Sequence, residues 1–441
     1  MVLLLVSFRD AERGAGTVDY RRRVVDNELD ELMPGVAAIA IEGARAVGKT
    51  ETASARATTT FRLDAPAVHE VLRADPERIA TSPRPVLIDE WQLMKETWDV
   101  VRRAVDADPA GGQFLLTGSA SPRNPPTHTG AARIISLRMR PMTLAERGVA
   151  QPTVSLSALL AGARPPLAGE TDVTAERYAH EIVASGFPGL RDLPDRAVRA
   201  QLDGYIERVI DRDFEHLAEV AIRNREALRR WCAAYASAVS STTSYEKIRD
   251  AASAGHEDKP AKVTVLHWID TLERLWVSEP VPAWSPARHD LSRLAQSPKH
   301  QLVDPALAAR LRGVSVGALL EGTPAGPLGP RDGTLFGALF ESLVTLDVRV
   351  YAQAAEARVG HVRTRNGDRE VDLIVERADR RVVAIEVKLA RAIVDDDVKH
   401  LRWLQDRLGA DMLDAIVVST GPYAYRRPDG IGVVPAALLG I

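Results

Sequence analysis

Gly43-Ala44-Arg45-Ala46-Val47-Gly48-Lys49-Thr50 matches the pattern GxxxxGK[ST] at every defined position. Its chemistry is phosphate binding. Glycines let the backbone wrap until its N–H groups face phosphate oxygens, Lys49 would reach the β and γ phosphates, and the Thr50 hydroxyl would bind Mg²⁺. Further on, the apolar run Val86-Leu87-Ile88 ends in Asp89-Glu90. At the end of a strand, Asp89 would order the metal's water shell and Glu90 would polarise the attacking water. A third apolar run, Phe114 to Thr117, breaks into Gly118-Ser119. A polar residue there would position the lytic water; Ser119 is the candidate, with Thr117 as the alternative because one of the two faces the core. Arg133, just before IISLRM, would sense the γ phosphate of its own or a neighbouring subunit, or is an ordinary surface arginine.

A second constellation lies near the other end of the chain. VDLIVERADRRVVAIEVK, residues 371–388, sets Asp372 before Glu386-Val387-Lys388 with thirteen residues between. Residues two apart in a strand face the same way, so Glu386 and Lys388 share a face. With Glu341 from a preceding helix, Asp372 and Glu386 would hold one or two Mg²⁺ or Mn²⁺ ions, which polarise a scissile phosphate and lower the pKa of bound water. Lys388 would stabilise the developing negative charge. A charged hairpin with one solvated face is the plainer reading of the same spacing.

The elements that must position these groups are readable around them. Val36 to Ile41 is a buried parallel strand running into the glycine-rich turn, and ETASARA opens a helix. Leu335, Leu339, Leu343, Leu346 and Val350 recur at helical spacing, with Glu341 off the stripe. A hairpin follows at Asn366-Gly367, then a strand at RRVVAIEVKLA, a helix near DDDVKHLRWLQDRLG and a strand at LDAIVVST. Between them, residues 224–282 read as helix, short helix, helix, then strands. That order fits a winged-helix module with Val263 to Leu275 as recognition helix and LWVSEPVPAW as wing. Lys259, Lys262, His267 and Arg274 are offset there by Asp270 and Glu273, so protein contact or a structural role stands beside DNA reading. Arg363, Arg365, Arg369, Arg377, Arg380 and Arg381 form the basic patch that favours nucleic acid.

GARAVGKT, VLIDEWQ, LLTGSAS, the GAAR before a strand and RPMTLAERG resemble the AAA-type ATPases, and more closely a prokaryotic family that joins such a domain to a C-terminal nuclease-like domain. SGFPGLRDL, YIERVIDRDF and SPKHQLVDPALAARL are similar to that family's later segments. Glu341, Asp372, Glu386 and Lys388 resemble the PD-(D/E)XK nuclease set. The resemblance implies an α/β multidomain protein: a P-loop AAA-type ATPase domain at 17–150 after a tail at 1–16, a helical region at 151–223, a winged-helix-like region at 224–300, and a restriction-endonuclease-like α/β domain at 301–441. It implies ATP and Mg²⁺ as ligands, and an oligomer is among its expectations. The function expected is ATP hydrolysis coupled to a nuclease-like, DNA-acting domain. The alternative is an ATP-dependent switch whose nuclease-like domain binds a protein partner or DNA without cutting.

The rest of the composition sets bounds. At 441 residues the chain exceeds one core. A net charge of -3 gives no global sign of nucleic-acid or membrane affinity. The single cysteine, Cys232, excludes an internal disulfide and fits a reducing, cytoplasmic setting in which it packs as a small apolar residue. No apolar run reaches the length of a membrane span.

Overall fold

The structure, a computed structural model, describes residues 20–121, 131–214, 224–286, 297–322 and 334–441. The tail expected at 1–16, Gly130 and most of the loop SPRNPPTHTG lie outside the described residues. The chain divides into two compact units, residues 1–139 and 140–441.

The first unit is built on a five-stranded parallel sheet of β1 (Ala38–Glu42), β2 (Thr59–Arg62), β3 (Val86–Asp89), β4 (Phe114–Gly118) and β5 (Ile134–Arg138), in the order β2-β3-β4-β1-β5. The three central strands β3, β4 and β1 are continuous apolar runs because both faces of the sheet are covered. Helix Glu96–Ala107 packs Trp98, Val101 and Val105 into the core, where Trp98 meets Trp91 with ring centroids 4.6 Å apart. Each such fully buried apolar side chain contributes about 1.5–3 kcal/mol. The topology matters for chemistry: β4 lies between β1, which feeds the glycine-rich loop, and β3, which ends in the acidic pair. Glu42 registers with Gly118, and Asp89 with Thr117, so all three strand ends meet at one edge.

The second unit holds a seven-stranded mixed sheet. After the short strand β6 (Val154–Ser155), which pairs with Leu439–Gly440, its strands are β7 (Gly169–Glu170), β8 (Arg358–Arg363), β9 (Glu370–Glu376), β10 (Val382–Lys388), β11 (Met412–Ser419), β12 (Tyr423–Arg426) and β13 (Gly432–Pro435), in the order β7-β12-β13-β11-β10-β9-β8. β9 runs antiparallel to both β8 and β10, whereas β10, β11 and β13 are parallel. Helix Leu335–Ala354 is buried on nearly every side and not only along the leucine stripe. Residues 151–300, expected as separate helical and winged-helix regions, share this compact unit; β7 enters the C-terminal sheet directly.

Helices Arg225–Ser237, Tyr245–Ala252 and Lys262–Arg274 follow the expected order. The wing does not stand free. Ser278 bridges to Leu302, Val281 to Lys299 and Ala283 to His361, and Ser278 and Val281 are buried. Half of that segment is built into the core, with Pro282 exposed and Trp276, Glu279, Pro280 and Ala283 half-buried. The helix at the recognition position exposes Val263 (62%) and Leu266 (56%), while Lys262 pairs with Glu246, Lys259 with Asp250 and Arg274 with Asp270. Cys232 is buried, which pushes its thiol up to about 12 and keeps it from acting as a nucleophile. Among the described residues no helix is long and apolar enough to cross a membrane.

Candidate phosphate site and carboxylate cluster

The loop after β1 is shaped by close approach. A Cβ on Gly43 would lie 2.2 Å from the Met139 carbonyl oxygen, and Gly48 adopts φ 101°, a left-handed conformation that disfavours side chains. Lys49, only 5% exposed, folds back so that Nζ donates to the carbonyl oxygens of Gly43 and Ala44, both at 2.8 Å. Burial pushes its ammonium down to about 8 against the pull of Glu90, and Arg138 adds to the depression. Such a lysine is short of negative charge, which is the condition phosphate would relieve. Outside the pattern, Arg23 donates to the Val47 carbonyl at 2.8 Å and the Tyr20 hydroxyl lies 2.8 Å from Thr52 Oγ1, tying the N-terminal helix Val24–Leu32 to the loop and the helix Lys49–Ser54.

At the neighbouring strand ends the polar groups divide into two sets. Thr50 Oγ1 donates to Asp89 Oδ1 at 2.8 Å, and Thr117 Oγ1 donates to the same oxygen. The hydroxyl and carboxylate that would hold Mg²⁺ therefore already share one corner, and the donor set fits a hard cation with oxygen ligands. Ser119 Oγ donates to Glu90 Oε2 at 2.6 Å, and Gln92 Nε2 donates to that oxygen and, at 3.2 Å, to Ser119 Oγ. Glu90 itself has φ 59°, which turns it off the strand end. Ser119 and Thr117, alternatives by sequence, thus serve different carboxylates. Gln92 was missed, although it sits within VLIDEWQ; nothing in a glutamine two residues past the acidic pair marks it before the turn is seen.

Arg133 requires a correction. β5 runs parallel to β1 with Ile134 opposite Ala38 and Arg138 opposite Glu42. Arg133 therefore precedes the strand at the edge away from the phosphate loop, about 17 Å from Arg138 at ~3.3 Å per residue. It is 46% exposed and donates to Asp106 at 2.8 Å. It cannot sense a γ phosphate in its own subunit. The arginine at the phosphate end of β5 is Arg138, whose charge opposes the upward shift that burial imposes on Glu42.

In the second unit the predicted residues do converge. Asp372 Oδ2 accepts from the Val387 backbone N–H at 2.9 Å, and Lys388 Nζ meets Glu386 Oε1 at 2.8 Å. Their arrangement is not the metal site expected. Lys299 Nζ, fully buried, lies 2.9 Å from Glu341 Oε1, 2.9 Å from Asp372 Oδ1 and 3.2 Å from Glu370 Oε1. Among the described residues no group of three or more His, Cys, Asp and Glu side chains could hold a metal ion. Of the residues expected as metal ligands, Glu341 and Asp372 are thus paired with an ammonium, and Glu386 with Lys388. Burial would lower Lys299, yet Asp372 and Glu341 hold it well above its ordinary value. Burial would raise Asp372, yet Lys299 and then Lys388 hold it down. Glu386 is pushed up to about 8 by burial, with the Asp372 charge beside it.

The basic patch is also largely spoken for. Arg363 pairs with Glu370 at 3.3 Å, Arg380 with Glu376, and both Arg377 and Arg381 with Asp379, while Arg369 lies over the Trp403 ring.

Residues 36–147 match the family model described as an AAA domain. Residues 175–317 match a domain of unknown function, DUF8612, and residues 336–439 another, DUF4143. The first unit thus carries an AAA-type domain, a class that uses ATP and Mg²⁺. No curated protein matches the chain. Among solved structures, the Walker-type ATPase PABY2304 of Pyrococcus abyssi is a remote likeness, with 15% identity and a TM-score of 0.38 over 67% of this chain and 96% of that one.

Proposed function

We propose that the first unit binds Mg²⁺ and ATP and hydrolyses the nucleotide. The observation that carries this reading is the meeting, at one sheet edge, of a charge-starved Lys49, the Thr50–Asp89 corner and a Glu90 carboxylate oriented by Ser119 and Gln92. Backbone N–H groups from Gly43 to Gly48 would cradle the phosphates, Lys49 would compensate the β and γ charge, and Thr50 and Asp89 would hold Mg²⁺, which screens the phosphate oxygens. Glu90 takes up a proton from water at the γ phosphate, and Ser119 fixes its carboxylate. Arg133 has a place in this scheme only across a contact between subunits. Replacing Glu90 with Gln should leave ATP binding intact and slow turnover by about 10²–10⁴-fold. Unchanged turnover in Glu90→Gln would reassign the base.

For the second unit we favour the switch over the nuclease. Its helix, three strands, helix, strand order supports a nuclease-like α/β core, and its surface supports a protein partner over DNA. The arginines that favoured nucleic acid are mostly ion-paired, and the exposed side of the helix at the recognition position is apolar at Val263 and Leu266. Salt-sensitive binding of duplex DNA, lost when Arg377 and Arg381 are replaced, would reverse that preference.

A further inference from the structure

We propose that Lys299 is the resident cation of the C-terminal carboxylate cluster, standing where a divalent ion would have to bind, so that in this chain the cluster works without metal and does not cleave phosphodiesters. The proposal rests on the second unit alone and stands whether or not the first hydrolyses ATP.

The stoichiometry is the first argument. An ammonium has three N–H donors, and Lys299 Nζ meets three carboxylates, those of Glu341, Asp372 and Glu370. Their other oxygens are partly committed as well. Asp372 Oδ2 takes the Val387 N–H, and Glu370 Oε2 lies 3.3 Å from Arg363. Glu386 Oε1 takes Lys388, leaving Glu386 Oε2 as the buried carboxylate oxygen of this cluster without a hydrogen-bond partner. Mg²⁺ requires about six oxygen ligands at ~2.0–2.1 Å. Water usually fills most of those places and one or two carboxylates the rest, but here the Glu341 and Asp372 oxygens a cation would take are held by the Lys299 ammonium.

Charge is the second argument. Lys299, Lys388 and Arg363 place three positive charges among the carboxyl groups of Glu341, Glu370, Asp372 and Glu386, and burial pushes Glu341 and Glu386 toward their neutral forms. A divalent ion entering this set would meet the Lys299 ammonium at close range, and repulsion between like charges is stronger in a buried setting than in water.

Anchoring is the third. Lys299 does not sit on a free arm. Its backbone N–H donates to the Val281 carbonyl at 2.9 Å and its carbonyl accepts from the Val281 N–H at 2.8 Å; the next residue, His300, donates to Ser241, and Ser297 accepts from the His361 ring. The segment is stitched on both sides, so the Lys299 backbone is fixed beside the cluster and its side chain starts from an anchored position.

The test uses the full chain in an Asp89→Asn background without nucleotide, which removes the carboxylate of the phosphate-loop cation site, and follows free Mn²⁺ by electron paramagnetic resonance during titration. With Lys299 present, the cluster should take up no Mn²⁺. With Lys299→Ala added, one Mn²⁺ should bind, and Asp372→Asn should abolish that gain. If Lys299→Ala fails to fold, Lys299→Gln supplies the same opening with most of the side chain retained. Mn²⁺ uptake in the Lys299-containing protein that Asp372→Asn removes would overturn the proposal. So would the absence of any gain in a folded Lys299 variant, or plasmid nicking by the wild type that Lys388→Ala eliminates.

Discussion

The two units each bury a lysine beside carboxylates, and the two lysines are displaced in opposite directions. Lys49 contacts only carbonyl oxygens through Nζ, and burial holds it down at about 8. Lys299 contacts three carboxylates and is held well above its ordinary value. The first is a cation waiting for an anion; the second already has its anions. The difference teaches that residue type and burial do not by themselves distinguish a ligand site from a finished ion pair. What distinguishes them is whether the charge is compensated inside the protein.

That contrast can be broken most directly through stability. Lys299→Met should cost about 3–5 kcal/mol in denaturant unfolding, because it leaves buried carboxylates without their cation. Lys49→Met, without nucleotide, should be neutral or stabilising by the same measurement, since it removes a desolvated charge that lacks an ionic partner. Equal losses in both variants would erase the distinction. For ligand binding the order reverses. Lys49→Ala should weaken ATP by about 2–5 kcal/mol, roughly 30- to several-thousand-fold, by titration calorimetry, whereas Lys299→Met should leave ATP affinity unchanged wherever the variant is folded.

A smaller effect concerns pH. The free lysine titrates at about 8, and bound phosphates raise it, so the protonated form is the one that binds. Affinity for ATP should be full below pH 8 and fall by about tenfold per pH unit above it, until the pKa of the bound form is reached. Calorimetry near pH 9 in buffers of different ionisation enthalpy should show uptake of a proton on binding. Proton release, or no proton change, would mean that Lys49 is not the group compensating the phosphates.

Much of the first site was legible because its parts are local. GxxxxGK[ST] is one contiguous loop, and DE at the end of VLID is one strand terminus, so short stretches carry most of the geometry. The exceptions needed register. Arg133 and Arg138 are equally plausible on paper, and only the parallel pairing of β5 with β1 decides which end each occupies. The roles of Thr117 and Ser119 separated for the same reason, because their hydroxyls donate to different carboxylates of the acidic pair.

The second site shows the limit from the other side. The helix carrying Glu341, the strands carrying Asp372 and Glu386-x-Lys388, and their convergence were all readable from periodicity and alternation. Lys299 was not. In SPKHQLVD it is one basic residue in a segment with no chemical pattern, forty-two positions before Glu341 and seventy-three before Asp372. Burial of the wing had the same origin, since pairing of Val281 with Lys299 is a long-range contact that hydrophobic spacing does not encode.

The sequence by itself therefore determined the phosphate loop, its acidic partners and the set of carboxylates in the second unit, because each is written in neighbouring residues whose backbone conformation is local. Tertiary structure alone decided which arginine stands at the glycine-rich loop's end of β5 and which cation fills the carboxylate cluster. Coulombic compensation acts across a few ångströms of space, whatever the separation along the chain.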